Sequence, residues 1–202
     1  VICFSFDGIK NITSGEGGAI VTSDAELLQR IKDGRLLGVE RDSEKRYSGQ
    51  RSWDFNVSHQ GFRFHMSNIM AAIGREQLKK VDEFIKVRKE AVALYNELLS
   101  GVPEIVCLEH DIRNNAPHIF VVKVLGGKRD DLINGLRQRG IECGLHYQPN
   151  HKLTYFKKNE SFEVTSKVSS EIITLPLHAE LSATNVVFIV DVLKDLLETA
   201  NV

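Results

Sequence analysis

A long stretch with helical periodicity, residues 67–100, constrains the fold more than any other feature of this sequence. Its apolar residues recur every three or four positions, at Ile69, Ile73, Leu78, Val81, Ile85, Ala91, Leu94 and Leu98. This spacing predicts one helix, which at about 1.5 Å per residue would cross a whole domain. Gly74 interrupts the pattern and marks either a kink or a position of close packing.

Shorter elements on both sides of this stretch indicate an α/β fold. Before it, residues 1–6 and 19–22 are rich in β-forming side chains and predict two strands joined by a polar loop. Asp24 is placed to cap a helix that ends near Gly34 or Gly38. Residues 39–61 are polar and aperiodic, which predicts a long loop.

After Pro103, predicted strands alternate with predicted helices. The strands cover residues 105–108, 118–125 and 141–145, and the helices cover residues 130–139, 162–173 and 185–197. Such alternation is typical of a small α/β domain. We therefore expect a domain boundary between residues 100 and 103, which divides the chain into residues 1–100 and residues 101–202.

The composition excludes several classes of protein. The chain has 26 Lys and Arg against 27 Asp and Glu, and no basic block that would bind nucleic acid. No apolar run approaches the roughly 20 residues that a membrane helix needs. The three cysteines lack metal-ligand spacing and indicate reduced thiols in a cytoplasmic protein. We expect a soluble protein that binds no metal, nucleic acid or membrane.

The opening residues 1–6 predict a buried strand. A strand this apolar needs ladder partners and covering helices. The chain also begins at Val1 rather than at a methionine. We therefore expect the sequence to be the C-terminal part of a longer polypeptide.

Lys10 is the residue that says most about function. It follows the first predicted strand and precedes a glycine-rich segment, so its amine is expected at a strand end that faces a cleft. A desolvated lysine amine forms a Schiff base with an aldehyde. Ser5, Ser14 and the glycines suit the close approach of an anionic ligand. On spacing alone, a solvated loop lysine is the more common case.

Ordered motifs extend over almost the whole chain. They are SFDGIKNITSGEGG at residues 5–18, QGFRFHMSNIMAAIG at residues 60–74, Gln77-Leu78 with Arg88, GLHYQP at residues 144–149 and LPLH at residues 175–178. Together they closely resemble the DegT/DnrJ/EryC1/StrS family, whose members are pyridoxal-phosphate-dependent aminotransferases of nucleotide-linked keto-sugars. The segment at residues 60–74 looks like the start of the family's dimer-interface helix.

This resemblance implies the fold and the cofactor. The expected fold is α/β: the end of the large domain of fold type I transferases with the long interdomain helix, then the small C-terminal domain. Lys10 would hold pyridoxal 5'-phosphate covalently and move protons. Ser5 would bind the cofactor phosphate, and so would Arg63, which stands where many relatives have asparagine and would act from the neighbouring subunit of a homodimer with shared active sites.

The resemblance also implies the substrates. His146, Tyr147 and His151 lie in the segment that lines the nucleotide-sugar site of relatives, where they would bond to diphosphate or sugar hydroxyls. For His151, an ordinary surface position is an equally good interpretation. Glutamate would give its amine to the cofactor, and a keto-deoxysugar nucleotide would then receive it, as in the biosynthesis of surface polysaccharide or O-antigen sugars.

Some residues and alternatives stay open. Trp53 fits stacking on a nucleotide base, although a local hydrophobic anchor is favoured. Arg41, Lys45 and Arg46 fit either a diphosphate or a solvated loop. The acid that holds the cofactor's ring nitrogen and the aromatic residue that stacks on the ring have no candidate after Lys10, so we expect both in a preceding half.

Two other functions fit the same scaffold. One is a pyridoxal-phosphate-dependent sugar dehydratase, against which Lys10 argues because relatives of that kind carry a histidine there. The other is a non-catalytic regulatory homologue. The departures from the family pattern at Asp7, Arg63 and His65 leave room for it, since relatives commonly have histidine, asparagine and arginine at these positions.

Overall fold

The computed structural model describes residues 1–40, 48–49, 55–109, 111–157 and 160–199. The chain forms two compact units, Val1–Lys80 and Val81–Val202. The units divide after Lys80, about twenty residues before the boundary expected between residues 100 and 103. The reason is that the helix at residues 81–99 packs against elements of the second unit. The assignment of the parts to a large and a small domain stays a prediction.

The first unit begins with the predicted hairpin. Strand β1 (Ile2–Ser5) pairs antiparallel with β2 (Gly18–Val21), and Ser5 lies opposite Gly18. Helix α1 (Ala25–Gly34) follows, as the sequence predicts. The Asp24 carboxylate caps it by accepting a hydrogen bond from the backbone N–H of Leu27 at 3.0 Å, which satisfies one of the free donors of the first turn.

The strand at the start of the chain is exposed within these residues. The partners and covering helices that the sequence predicts for it, from a longer polypeptide, stay a prediction. Ile2 and Phe4 are 58% and 52% exposed, and Ile20 and Val21 on β2 are also largely exposed. Successive side chains of a strand point to opposite faces, so both faces of the hairpin carry accessible apolar surface.

The prediction of a single helix over residues 67–100 is wrong, because two helices lie there. Helix α2 (Asn68–Leu78) ends at Lys79, and α3 (Val81–Leu99) begins after Lys80 and belongs to the second unit. The break contains neither glycine nor proline, and the apolar spacing continues across it. The sequence therefore carries no local signal that α2 ends here. Gly74 lies within α2 and marks close packing, since a Cβ there would be 3.4 Å from the Cβ of Ser14.

The second unit is built on a three-stranded antiparallel sheet. Strands β3 (Ile105–Cys107), β4 (Phe120–Val124) and β5 (Ile172–Leu175) lie in that order. The helices are α4 (Arg129–Gln138), α5 (Glu163–Glu171) and α6 (Ala183–Thr199). Two short 3₁₀ turns, Asn150–Lys152 and Thr154–Phe156, lie between α4 and α5.

Two of the predicted elements of this unit are wrong. Residues 141–145 are not a strand, since Gly144 makes only an isolated bridge with Thr174. Residues 162–173 are not one helix, because α5 ends at Glu171 and the fully buried strand β5 begins at Ile172. A short apolar run fits a buried strand and a buried helix equally well, which is why periodicity misassigned both segments.

The core of the second unit lies between the sheet and helices α3, α4 and α6. Its largest fully buried side chains are Tyr95, Phe120, Leu136, Ile173, Leu175 and Leu193. The rings of Tyr95 and Phe120 stack with centroids 4.7 Å apart, which joins α3 to β4. Among the described helices, none is both long and apolar enough to cross a membrane.

Candidate functional site

Lys10 lies in the loop between β1 and β2, residues 6–17, which we call the lysine loop. Its backbone N–H donates to the carbonyl of Asp7 at 3.1 Å. The Asp7 carboxylate in turn accepts from the N–H of Ile9 at 3.1 Å. Asp7 therefore shapes the turn that carries Lys10, a local role typical of aspartate in turns.

Two hydroxyls hold the rest of the lysine loop. Thr13 Oγ1 donates to the Phe6 carbonyl at 3.1 Å and accepts from the N–H of Gly15 at 2.9 Å. Ser14 is 1% exposed, and its hydroxyl donates to the Glu16 carbonyl at 2.7 Å. The Ser14 hydroxyl thus serves the loop itself, which differs from its expected use toward an anionic ligand.

The glycines at the end of the lysine loop are needed for close packing. A Cβ at Gly17 would lie 2.5 Å from Met66 Cε, and a Cβ at Gly18 would lie 2.5 Å from the Phe4 carbonyl oxygen. Gly17 also has a φ of +134°, a conformation that other residues rarely adopt. The loop therefore keeps its shape only with glycine at these positions.

The side chains of Lys10 and Ser5 are free of charged partners. Lys10 is half-buried, and within the described residues no carboxylate forms an ion pair with its amine. Ser5 is exposed, and its hydroxyl accepts one long hydrogen bond, 3.4 Å, from the N–H of Asp7. Both groups are thus accessible to a ligand.

Arg63 lies on an exposed segment beside the end of α1. The backbone N–H groups of its neighbours Phe62 and Phe64 donate to the carbonyls of Gly34 at 2.7 Å and Arg35 at 2.9 Å. These bonds fix the segment while the Arg63 side chain stays exposed. In the part of the chain that the structure describes, no hydrogen bond or ion pair joins Arg63 to Lys10 or Ser5.

His146 lies in the second unit and is tied to β5. Gly144 and Thr174 exchange two backbone hydrogen bonds, of 3.0 and 2.8 Å, just before it. His146 Nδ1 lies 2.9 Å from Thr174 Oγ1. Tyr147 contacts the His146 ring edge-on, with centroids 4.7 Å apart, and is itself 67% exposed.

His151 is tied to α5 instead. It lies in the 3₁₀ turn Asn150–Lys152, and its Nε2 is 3.3 Å from Ser166 Oγ. Its ring stacks on Phe162 with centroids 4.7 Å apart. These contacts with Ser166 and Phe162 give His151 a packing role within the second unit, independent of any ligand.

The predicted site residues therefore form two sets. Lys10, Ser5 and Arg63 belong to the first unit, whereas His146, Tyr147 and His151 belong to the second. Sequence reasoning missed Thr174 and Ser166, because their partners His146 and His151 lie 28 and 15 positions away. It also missed Asp7, although its bond to Ile9 is local and an aspartate two residues before its partner is a usual turn signal. The remaining candidates, Trp53, Arg41, Lys45 and Arg46, lie outside the described residues.

The chain thus carries Lys10 on a hairpin loop in its first unit and an antiparallel sheet in its second. The sequence model of the DegT/DnrJ/EryC1/StrS aminotransferase family matches residues 1–194, and the chain belongs to this family. It is 29% identical over 209 residues to the spore coat polysaccharide biosynthesis protein SpsC of Bacillus subtilis (strain 168), with 98% of this chain and 54% of SpsC covered.

Solved structures agree with this assignment. The chain is similar to Helicobacter pylori PseC, an aminotransferase involved in the biosynthesis of pseudoaminic acid, with a TM-score of 0.85, 26% identity and coverage of 98% of this chain and 53% of PseC. It is also similar to the PLP form of Spr1654 from Streptococcus pneumoniae, with a TM-score of 0.80, 28% identity and coverage of 98% and 51%.

These comparisons confirm the resemblance and the α/β fold expected from it, that of the fold type I transferases. The chain spans about half the length of the relatives it matches.

Proposed function

We propose that this chain is the lysine-bearing part of a cytoplasmic, pyridoxal-phosphate-dependent aminotransferase. The enzyme moves an amino group from glutamate to a keto-deoxysugar nucleotide, for a surface polysaccharide or O-antigen sugar. Family membership supports the reaction class, and the similarity to SpsC, a spore coat polysaccharide biosynthesis protein, supports the link to polysaccharide biosynthesis. The PLP form of Spr1654 supports the cofactor.

The placement of Lys10 is the observation that carries the proposal. Its backbone is fixed by Asp7 on a braced loop, and its amine has no ion-pair partner among the described residues. A lysine needs such an unpaired amine to react with an aldehyde, because a carboxylate partner stabilises the unreactive ammonium form. The same amine, once released, can accept and return a proton at the substrate carbon.

The lysine loop fits part of the cofactor. Lys10 offers the amine, and the exposed Ser5 hydroxyl offers a donor for phosphate oxygens. When bound, the cofactor supplies an aldehyde for that amine and a ring that withdraws electrons from the substrate. Arg63 adds an exposed guanidinium suited to phosphate, which would act toward a second subunit of a homodimer.

The second unit supplies groups for the sugar nucleotide. His146, Tyr147 and His151 offer ring N–H groups and a phenol, which bond well to diphosphate and hydroxyl oxygens. Tyr147 is exposed, and the two imidazoles are held in place by Thr174 and Ser166. These contacts support a pre-organised binding surface.

Borohydride reduction after loading with pyridoxal phosphate tests the proposal. We expect peptide mass spectrometry of the full-length protein to find the phosphopyridoxyl group on the Lys10 peptide. Lys10→Ala should lose it, and Lys79→Ala should keep it, since Lys79 is exposed and paired with Glu76 at 2.7 Å. A folded protein without an adduct at Lys10 would refute the aminotransferase assignment in favour of a non-catalytic homologue.

The product decides between the aminotransferase and the dehydratase. With glutamate and a keto-deoxysugar nucleotide, an aminotransferase product gains nitrogen and its glutamate becomes 2-oxoglutarate. A dehydratase product loses a hydroxyl and gains no nitrogen. Mass spectrometry with ¹⁵N-glutamate distinguishes the two outcomes directly.

A further inference from the structure

We propose that Thr174 is a positioning residue that holds the His146 ring through Nδ1 and thereby presents Nε2–H to an oxygen of the nucleotide-sugar ligand. Gly144 also contributes to this positioning, because the absence of a side chain there leaves room for the His146 ring. The ligand in this proposal rests on the proposed function, whereas the orientation of the ring rests on the contacts below.

The backbone brings the two side chains together. Gly144 and Thr174 form a reciprocal pair, in which each backbone N–H donates to the other's carbonyl, at 3.0 and 2.8 Å. The His146 ring lies over Gly144, since a Cβ built at Gly144 would be 2.9 Å from His146 Cε1 and 3.7 Å from the Cβ of Thr174. From there the ring reaches Thr174, where Nδ1 and Oγ1 are 2.9 Å apart.

The direction of this hydrogen bond follows from the hydroxyl. Thr174 is only 7% exposed, and within the described residues Oγ1 has no other hydrogen-bond partner than His146. A hydroxyl has one proton to donate, and a buried donor without an acceptor is unfavourable. The Thr174 hydroxyl therefore donates to Nδ1 of the neutral ring. The ring proton then resides on Nε2, which becomes a hydrogen-bond donor for the ligand.

Gly144 is required for its lack of a side chain. A Cβ at this position would lie 2.9 Å from His146 Cε1 and 3.3 Å from Nδ1. Contacts below 3.0 Å do not persist, so the ring would move away from Thr174. The backbone at Gly144 lies outside the left-handed region, so the contact with the His146 ring is the cost of alanine there, and the backbone itself can accept it.

His151 provides an internal comparison. Its tether runs through the opposite nitrogen, Nε2, to Ser166 on α5. Removal of the Ser166 hydroxyl should therefore change the tautomer populations of the His151 ring and leave those of the His146 ring unchanged. This pairing of two histidines with two hydroxyls makes the effects separable.

Ring ¹⁵N NMR of the full-length protein tests the positioning role. We expect the neutral His146 ring to show one tautomer, with the proton on Nε2, in the natural protein and in Thr174→Ser. Thr174→Val and Gly144→Ala should each add the Nδ1–H tautomer, whereas Ser166→Ala and the exposed-site control Thr165→Val should not. An unchanged His146 spectrum in both folded variants, Thr174→Val and Gly144→Ala, would overturn the proposal.

Affinity for UDP and for dTDP, each used as a probe, tests the ligand. Loss of a fixed donor should raise the Kd of the accepted nucleotide about tenfold in Thr174→Val, with affinity restored by Thr174→Ser. In turnover, KM for the sugar nucleotide should rise while kcat changes little. A changed ring spectrum with unchanged affinity and KM would overturn the ligand assignment alone. The Lys10 adduct, measured in the same variants, reports separately on the proposed function.

Discussion

Lys10 and Lys123 show how surroundings decide what a lysine can do. Lys123 Nζ lies 2.8 Å from Glu171 Oε2, and both side chains are largely shielded from water. This ion pair engages the Lys123 amine. No such carboxylate pairs with Lys10 within the described residues, so its amine is open to a ligand, whereas the amine of Lys123 is engaged.

The three cysteines differ in exposure, and their reactivity should differ in the same order. Cys3 is exposed and Cys143 is buried. Burial raises the pKa of the Cys143 thiol to about 11, and it also raises the pKa of Cys107. Because the thiolate is the reactive form, we expect iodoacetamide at pH 8 to modify Cys143 on the order of tenfold more slowly than Cys3 in the 202-residue chain.

Mass spectrometry of a labelling time course measures these rates. In guanidinium chloride all three thiols should react alike, which controls for effects of local sequence. Equal rates for Cys3 and Cys143 in the folded chain would contradict the burial of Cys143.

At the scale of elements, Tyr95 joins helix α3 to the segment that follows β5. Its ring is fully buried, and its hydroxyl donates to the Pro176 carbonyl at 3.0 Å. Burial raises the pKa of this phenol, so it stays protonated and donating throughout the ordinary pH range. Tyr95→Phe leaves the carbonyl without this donor and should lower the free energy of unfolding by about 1 kcal/mol.

Urea denaturation at pH 7 measures this loss. The matched control is Tyr155→Phe, because Tyr155 is almost fully exposed and its replacement should change stability little. If Tyr95→Phe unfolds at the same urea concentration as the natural protein, the hydrogen bond to Pro176 contributes nothing to stability.

The elements also show where sequence patterns suffice. Helix α1 was predictable because its cap, Asp24, and its apolar face are neighbours in sequence. The end of α2 at Lys79 was not, because the apolar spacing runs on through it. The hydrogen bond between His146 and Thr174 joins residues 28 positions apart. It forms only because the fold places residues 144–146 beside β5, so no local sequence pattern predicts it.

At the scale of the whole molecule, the first unit displays large apolar side chains. On α2, Ile69, Ile73 and Leu78 are exposed, and so is Phe4 on β1. Accessible apolar surface of this extent is characteristic of a surface that contacts another chain or domain. It supports the proposal that α2 lies at the interface of a homodimer, which the resemblance of residues 60–74 also implies.

Shared active sites make a specific prediction about mixed dimers. If Lys10 of one subunit works with Arg63 of the other, Lys10→Ala and Arg63→Ala homodimers are each impaired, because every site lacks one group. In a mixed dimer both lesions fall in one site and the other site is intact. Random reassociation of equal amounts should therefore recover about a quarter of the natural activity, since half of the dimers are mixed and each has one working site.

Amine transfer measured after unfolding and refolding the two variants together tests this arrangement. The matched control mixes Lys10→Ala with the double variant Lys10→Ala/Arg63→Ala, in which no site carries both groups and no activity should return. Recovery in the first mixture but not in the second requires that the two residues come from different subunits. If the first mixture is only as active as its two components measured apart, Arg63 acts within its own subunit or outside the site. In that case the exposed segment beside α1 has to be explained by something other than a shared phosphate site.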